Sequence, residues 1–124
     1  DNAQPLYLQL NSGVEVGLTW DGTPDVFSFD VPSLVHADLI AETFDEAEDC
    51  PVTTDLDTEV SLLDSHGNVL ASRTHGFFRC GAVDFEANPE AANLGTGTYY
   101  LRVVQNGEAP LGRAYRFRVW LIQR

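Results

Sequence analysis

A chain of 124 residues, 44% apolar, 10% aromatic and 21% charged, has the size and balance of one globular domain, and it excludes a disordered chain, which needs low hydrophobicity with high charge. Nineteen acids against seven bases leave a net charge of -12, which argues against nucleic acid as a partner, because phosphate binding needs concentrated positive charge. No apolar run reaches the length of a membrane span.

The dominant period along the chain is two. Asp1–Pro5 reads as a linker remnant, and residues 1–13 as linker or first edge strand. No initiator Met and no signal-peptide pattern stand at Asp1, so the expectation is a mature exported form or a domain of something longer. Val14, Val16 and Leu18 alternate with Glu15 and Gly17. Trp20-Asp21-Gly22 is a turn whose aromatic either caps one end of the core or serves as a contact. From Val26, the residues Phe27, Phe29 and Val31 alternate with Ser28 and Asp30. Leu34–Phe44 is a longer run with weaker alternation. Val60 and Leu62 lie in a fourth run, which ends at Leu63-Asp64. Ser65-His66-Gly67-Asn68 then predicts a hairpin turn, with Gly67 free to take positive φ and Val69–Arg73 pairing back.

Gly81–Phe85 is a short strand. Glu86–Asn93 is the only helix-like stretch, one turn with Pro89 in its first positions and Asn88 as cap. Gly97–Gln105 and Arg113–Gln123 are the clearest strands. In the first, Tyr99, Leu101 and Val103 point inward. In the second, Tyr115, Phe117, Val119 and Leu121 point one way and Arg116, Arg118 and Trp120 the other. About eight short strands with Gly, Pro and Asp turns predict an all-β fold, a two-sheet antiparallel β-sandwich of jelly-roll type.

Charge is distributed unevenly. All seven bases are Arg and all follow position 72; residues 1–72 hold fifteen acids and no base, and residues 73–124 hold four acids and seven Arg, a net of 7 - 4 = +3. Either the two halves interleave as strands and neutralise one another across a sheet, or a basic face and an acidic rim orient the domain on a polymer. Cys50 and Cys80 stand in loop-like sequence and cannot complete a zinc site. In an exported protein they predict a disulfide, which in the chain-entropy model stabilises by roughly 3–4 kcal/mol. In a cytosolic protein they are two thiols.

Three segments together resemble one family. They are Gly22-Thr23-Pro24-Asp25-Val26-Phe27-Ser28-Phe29-Asp30-Val31-Pro32, the hairpin from Asp55 to Ala71 centred on Asp64-Ser65-His66-Gly67-Asn68, and Gly97-Thr98-Tyr99-Tyr100-Leu101-Arg102-Val103-Val104 followed by Tyr115-Arg116-Phe117-Arg118-Val119. In order and spacing they are similar to the bacterial pre-peptidase C-terminal domain, over residues 14–121. The resemblance implies a non-catalytic β-sandwich appended to secreted hydrolases, especially metallo- and serine peptidases. Some members are similar to collagen-binding modules, some assist binding to insoluble substrate, and some are removed during maturation.

Calcium is a candidate ligand, because related collagen-binding modules hold it through an acidic linker and loop aspartates. Here Asp1-Asn2-Ala3-Gln4-Pro5 lacks the usual Glu-Pro-Asn/Asp start, and Arg73-Thr74-His75-Gly76 stands where relatives carry Asp-Asp-Gly. The remaining candidate oxygens belong to Asp45, Glu46, Glu48, Asp49, Asp55 and Asp57; no cofactor is otherwise required.

Tyr100, Arg102, Arg116, Arg118 and Trp120 are the candidate binding residues. If their two strands are neighbours, they share one outer surface on which rings stack on sugar or proline and Arg supplies forked donors. The alternative is that neighbouring elements cover the rings and acids pair with the Arg. Catalysis has little support. His36, His66 and His75 lie near no nucleophile-elbow sequence around Ser33, Ser65 or Ser72, and the pairs Asp21/Asp25 and Asp55/Asp57 are of a kind expected by chance among nineteen acids.

The expectation is therefore a non-enzymatic accessory module, secreted or at the cell surface. Its partner is an extracellular polymer, protein or polysaccharide, or an adjacent catalytic domain. The alternatives are a structural or maturation module, a stand-alone surface interaction protein, and a small hydrolase.

Overall fold

The computed structural model describes residues 3–47, 50, 56–73, 80–106 and 110–124. Among these, strands form at β1 (Gln4–Pro5), β2 (Ser12–Thr19), β3 (Asp25–Val31), β4 (Ala37–Phe44), β5 (Thr58–Leu63), β6 (Val69–Arg73), β7 (Ala82–Asp84), β8 (Gly97–Gln105) and β9 (Ala114–Gln123). One sheet has the order β1-β3-β8-β5-β6 and the other β2-β9-β4-β7. Pairing is antiparallel except for β1 on β3. The orders third-eighth-fifth-sixth and second-ninth-fourth-seventh are those of a jelly roll, with β1 added at one edge.

The period-two pattern places the core between the sheets. Phe27, Phe29 and Val31 of β3, Leu101 and Val103 of β8, and Val60 and Leu62 of β5 are buried from one side. Tyr115, Phe117, Val119 and Leu121 of β9 are buried from the other. Phe27 and Phe117 stack across the layers with ring centroids 5.2 Å apart. Tyr99 is half-buried and stacks on Phe29 at 5.6 Å, at the end of the core. Trp20 packs partly buried against the core.

The run expected over 34–44 becomes a strand only at Ala37. Leu34 takes φ 67° and is fully exposed, so the chain turns there before joining the sheet. Alternation is weak in β4 because segment 88–94 lies over the start of the strand. Ala37 bridges Leu94, and Asp38 accepts the Asn93 N–H at 2.8 Å. The helix-like stretch is a single 3-10 turn, Pro89–Ala91. Asn88 occupies its cap position without capping it: the side-chain oxygen accepts the Asp84 N–H at 3.2 Å instead.

The expected hairpin turn is closed by Asp64. Its Oδ1 accepts the N–H groups of His66 and Asn68, both at 2.9 Å, and Gly67 takes φ 84°. Those bonds, that to Asn68 first, hold the Asp64 carboxyl below the usual carboxylate range. Cys50 and Cys80 form a disulfide with Cα atoms 6.0 Å apart.

Candidate functional site

The acid-rich and Arg-rich halves interleave, since β2 pairs with β9 and β3 with β8. Outward-facing residues of the two sheets form two separate surfaces. Tyr100 and Arg102 belong to the sheet of β8, whereas Arg116, Arg118 and Trp120 belong to the sheet of β9. The condition for one shared surface therefore fails. From β2 onward every successive pair of strands except β5–β6 crosses from one layer to the other, so β8 and β9 are adjacent in sequence and on opposite layers in space.

On the β9 face, Glu15 is the organising group. It stands opposite Arg118 in the β2–β9 register and takes Arg118 Nε at 3.1 Å, Arg118 Nη2 at 2.9 Å and Arg116 Nη1 at 2.5 Å. Its carboxyl is held below the ordinary range, first by the Arg118 hydrogen bonds and then by that of Arg116. Glu42 lies 3.9 Å from the Arg118 guanidinium; burial pushes its carboxyl up and Arg118 opposes that.

The same guanidinium lies 4.5 Å from the centre of the Phe44 ring and 5.2 Å from that of Trp120. Trp120 lies over Gly13, its register partner, where a Cβ would come within 2.6 Å of the indole Cδ1. Beside the ring, Asn11, Ile40 and Ile122 complete a shallow apolar concavity of about 440 Å³.

On the β8 face, Arg102 stands in register between Val26 of β3 and Ser61 of β5, and Tyr100 between Ser28 and Leu63. Above them the 64–68 turn overhangs a cleft of about 380 Å³, lined by Tyr100, Arg102, Val26, Leu63 and the Ser65-His66-Gly67 tip. The sequence singles out Tyr100 and Arg102 as binding residues, and His66 and Ser65 only as turn residues and as weakly supported catalytic candidates. The missing signal is spatial: a hairpin turn in β5–β6 meets β8 only because β5 and β8 are sheet neighbours.

Of the candidate calcium ligands, Glu48, Asp49 and Asp55 lie outside the described residues. Asp45, Glu46 and Asp57 are among the described residues. Asp45 Oδ1 is engaged by the Ala47 N–H at 2.9 Å, and among the described residues no three His, Cys, Asp or Glu come together.

No nucleophile-base pair is assembled among the described residues. The Ser72 hydroxyl bonds Glu59 at 3.1 Å and Ser61 at 2.9 Å, with no histidine on any serine hydroxyl. His75 lies outside the described residues. No helix among the described residues is long and apolar enough to cross a membrane.

No protein-family model and no curated protein matches the sequence. Among solved structures, the 1.0 Å crystal structure of the pre-peptidase C-terminal domain of collagenase from Bacillus anthracis is similar, with a TM-score of 0.58 and 18% sequence identity over 98% of this chain and 95% of that one. At that identity the likeness is one of fold: this chain folds as a pre-peptidase C-terminal domain does.

Proposed function

We propose that this chain is a non-catalytic accessory module of a secreted bacterial hydrolase, foremost a peptidase, that assists attachment to an extracellular polymer or docking to the adjacent catalytic domain. The observation that carries this reading is the likeness, along 98% of the chain, to a domain of a collagenase. The filled core supports it, because buried aromatics occupy the space between the sheets and leave only clefts on the outer faces. The Cys50–Cys80 disulfide is in keeping with an oxidising compartment. For attachment, the half-buried Trp120 presents an apolar ring beside the delocalised charge of Arg118.

A second reading, a structural or maturation module that packs on its neighbour and binds no substrate, draws on one feature. Glu15 pairs with Arg116 and Arg118, and Glu42 lies 3.9 Å from Arg118, so acids balance the bases beside the apolar concavity of Ile40, Trp120 and Ile122, a mix of polar and apolar groups that suits an interdomain contact.

The test is co-sedimentation of the purified chain with insoluble collagen, chitin and cellulose, together with assays on generic peptide and glycoside substrates. Retention that falls in Trp120→Ala supports attachment through that face. Absence of retention on all three polymers favours the structural reading, and hydrolysis of any substrate overturns both.

A further inference from the structure

We propose that the cleft beneath the 64–68 turn recognises the free carboxylate at the end of a peptide chain, with Arg102 as the carboxylate-binding residue. The proposal deepens the attachment reading, on which it rests, by naming the chemical group held on the β8 face.

Among the described residues Arg102 is a charge without a counterpart. Arg116 and Arg118 are engaged by Glu15, and Arg124 by Asp38 at 3.0 Å. Arg102 has Val26 and Ser61 as register neighbours, and among the described residues none offers it a carboxylate or a hydrogen bond. Arg102 lines the cleft, and among the described residues its guanidinium has no acidic partner. Its planar fork matches the two oxygens of a carboxylate.

The rest of the lining fits what stands next to a terminal carboxylate. The Tyr100 ring, Val26 and Leu63 give an apolar wall for one side chain, and Ser65 and His66 add polar atoms at the rim. A volume of about 380 Å³ suits one or two residues.

Position decides between a chain end and a chain passing through. β8 lies between β3 and β5, so its backbone groups are used in the ladders and an extended peptide cannot add to them there. A chain end needs only the charge and one side-chain wall. A polyanion is disfavoured, because one guanidinium in a domain of net charge -12 does not offset the repulsion of many charges.

The experiment is titration of the ¹⁵N-labelled chain, followed through the amides of Tyr100, Arg102 and His66 and the Arg102 Nε–H. The probes are an N-acetylated tripeptide ending in Leu with a free carboxylate, its C-terminal amide, an amidated peptide with an internal Glu, galacturonate, and acetate. The free acid is expected to shift these signals, with the amide at least about 10-fold weaker. Arg102→Gln is expected to weaken the free acid about 10- to 100-fold, as loss of a charged hydrogen bond implies. Arg102→Lys is expected to weaken it less, which keeps the test open if the Gln variant loses its dispersed spectrum.

Equal affinity for acid and amide, or unchanged binding by Arg102→Gln and Arg102→Lys, overturns the proposal. So does binding of galacturonate, acetate or the internal-Glu peptide as tight as that of the free acid. Trp120→Ala is expected to leave the titration unchanged, so retention on an insoluble polymer through the Trp120 face stands or falls separately.

Discussion

The hydroxyls of Thr43 and Thr58 meet 2.5 Å apart inside the protein and join the two sheets, one coming from β4 and the other from β5. Gly81 fixes the direction of the proton. Its carbonyl accepts from Thr43 Oγ1 at 2.8 Å and its N–H donates to Thr58 Oγ1 at 2.7 Å. Thr43 therefore spends its only hydrogen on Gly81, and Thr58 donates to Thr43, closing a ring of three bonds. The ring lies next to Cys80, so the disulfide and the polar bridge anchor the same point of the chain.

Thr58→Val is expected to destabilise more than Thr43→Val. The first leaves the buried Gly81 N–H without an acceptor, a loss of about 1–3 kcal/mol. The second leaves the Gly81 carbonyl still accepting the Thr43 N–H at 3.1 Å. Urea unfolding of both variants checks the order.

Gly81→Ala is expected to destabilise as well, because a Cβ there would overlap the Thr58 carbonyl group, which is backbone and cannot swing away. Reduction of Cys50–Cys80 is expected to lower stability by roughly 3–4 kcal/mol through the freedom restored to the unfolded chain. Thermal unfolding with and without a reductant measures it.

Gly13→Ala is expected to push the Trp120 indole off the sheet, since the new Cβ and the ring cannot share the space. An overpacked site of this kind costs about 1–3 kcal/mol. A red shift of Trp120 emission, read in a Trp20→Phe background, reports the movement. In a Trp120→Ala background the penalty is expected to shrink, and an unchanged penalty would assign it to the backbone instead.

The Tyr115 hydroxyl donates to Asp25 at 2.6 Å from within the core. Desolvation raises the Asp25 carboxyl above its ordinary 3.8, against the lowering effect of that bond. A carboxyl raised in the folded state binds its proton more tightly there than in the unfolded chain. Its contribution to stability is full below 3.8 and is lost as pH rises through the folded value. Asp25→Asn is expected to remove that decline, so the stability of the variant relative to the parent rises with pH above 3.8, as denaturant titrations at a series of pH values would show. Burial, then the Asp25 hydrogen bond, raises the Tyr115 phenol far above 10.0, so its absorbance change is expected last among the tyrosines.

Much of the fold was legible because period two is a local property. Phe27, Phe29, Tyr115, Phe117, Val119 and Leu121 declare their buried side one strand at a time. The fold likeness with the pre-peptidase C-terminal domain agrees with motifs that are themselves strands and turns. The arrangement of the candidate site was not legible, since which strands lie side by side is set by long-range pairing. Tyr100 and Trp120 look alike in sequence, each an aromatic beside an outward Arg, yet they stand on opposite faces. Glu15 has no mark in the sequence beyond its place in an alternating run, and only the β2–β9 register brings it to Arg118.

That β2–β9 ladder also governs the order of assembly. Ser12 stands opposite Leu121 and Thr19 opposite Ala114, while β9 separates β2 from β4. Of the described strands, only β5 pairs with its immediate successor, β6. A ribosome emitting this chain therefore presents a single local hairpin early, and β2 cannot be joined to the β4–β7 pair of its layer until the residues after position 113 arrive. Maturation should be slow and all-or-none, with a nascent intermediate whose apolar faces call for a chaperone until the closing strand arrives.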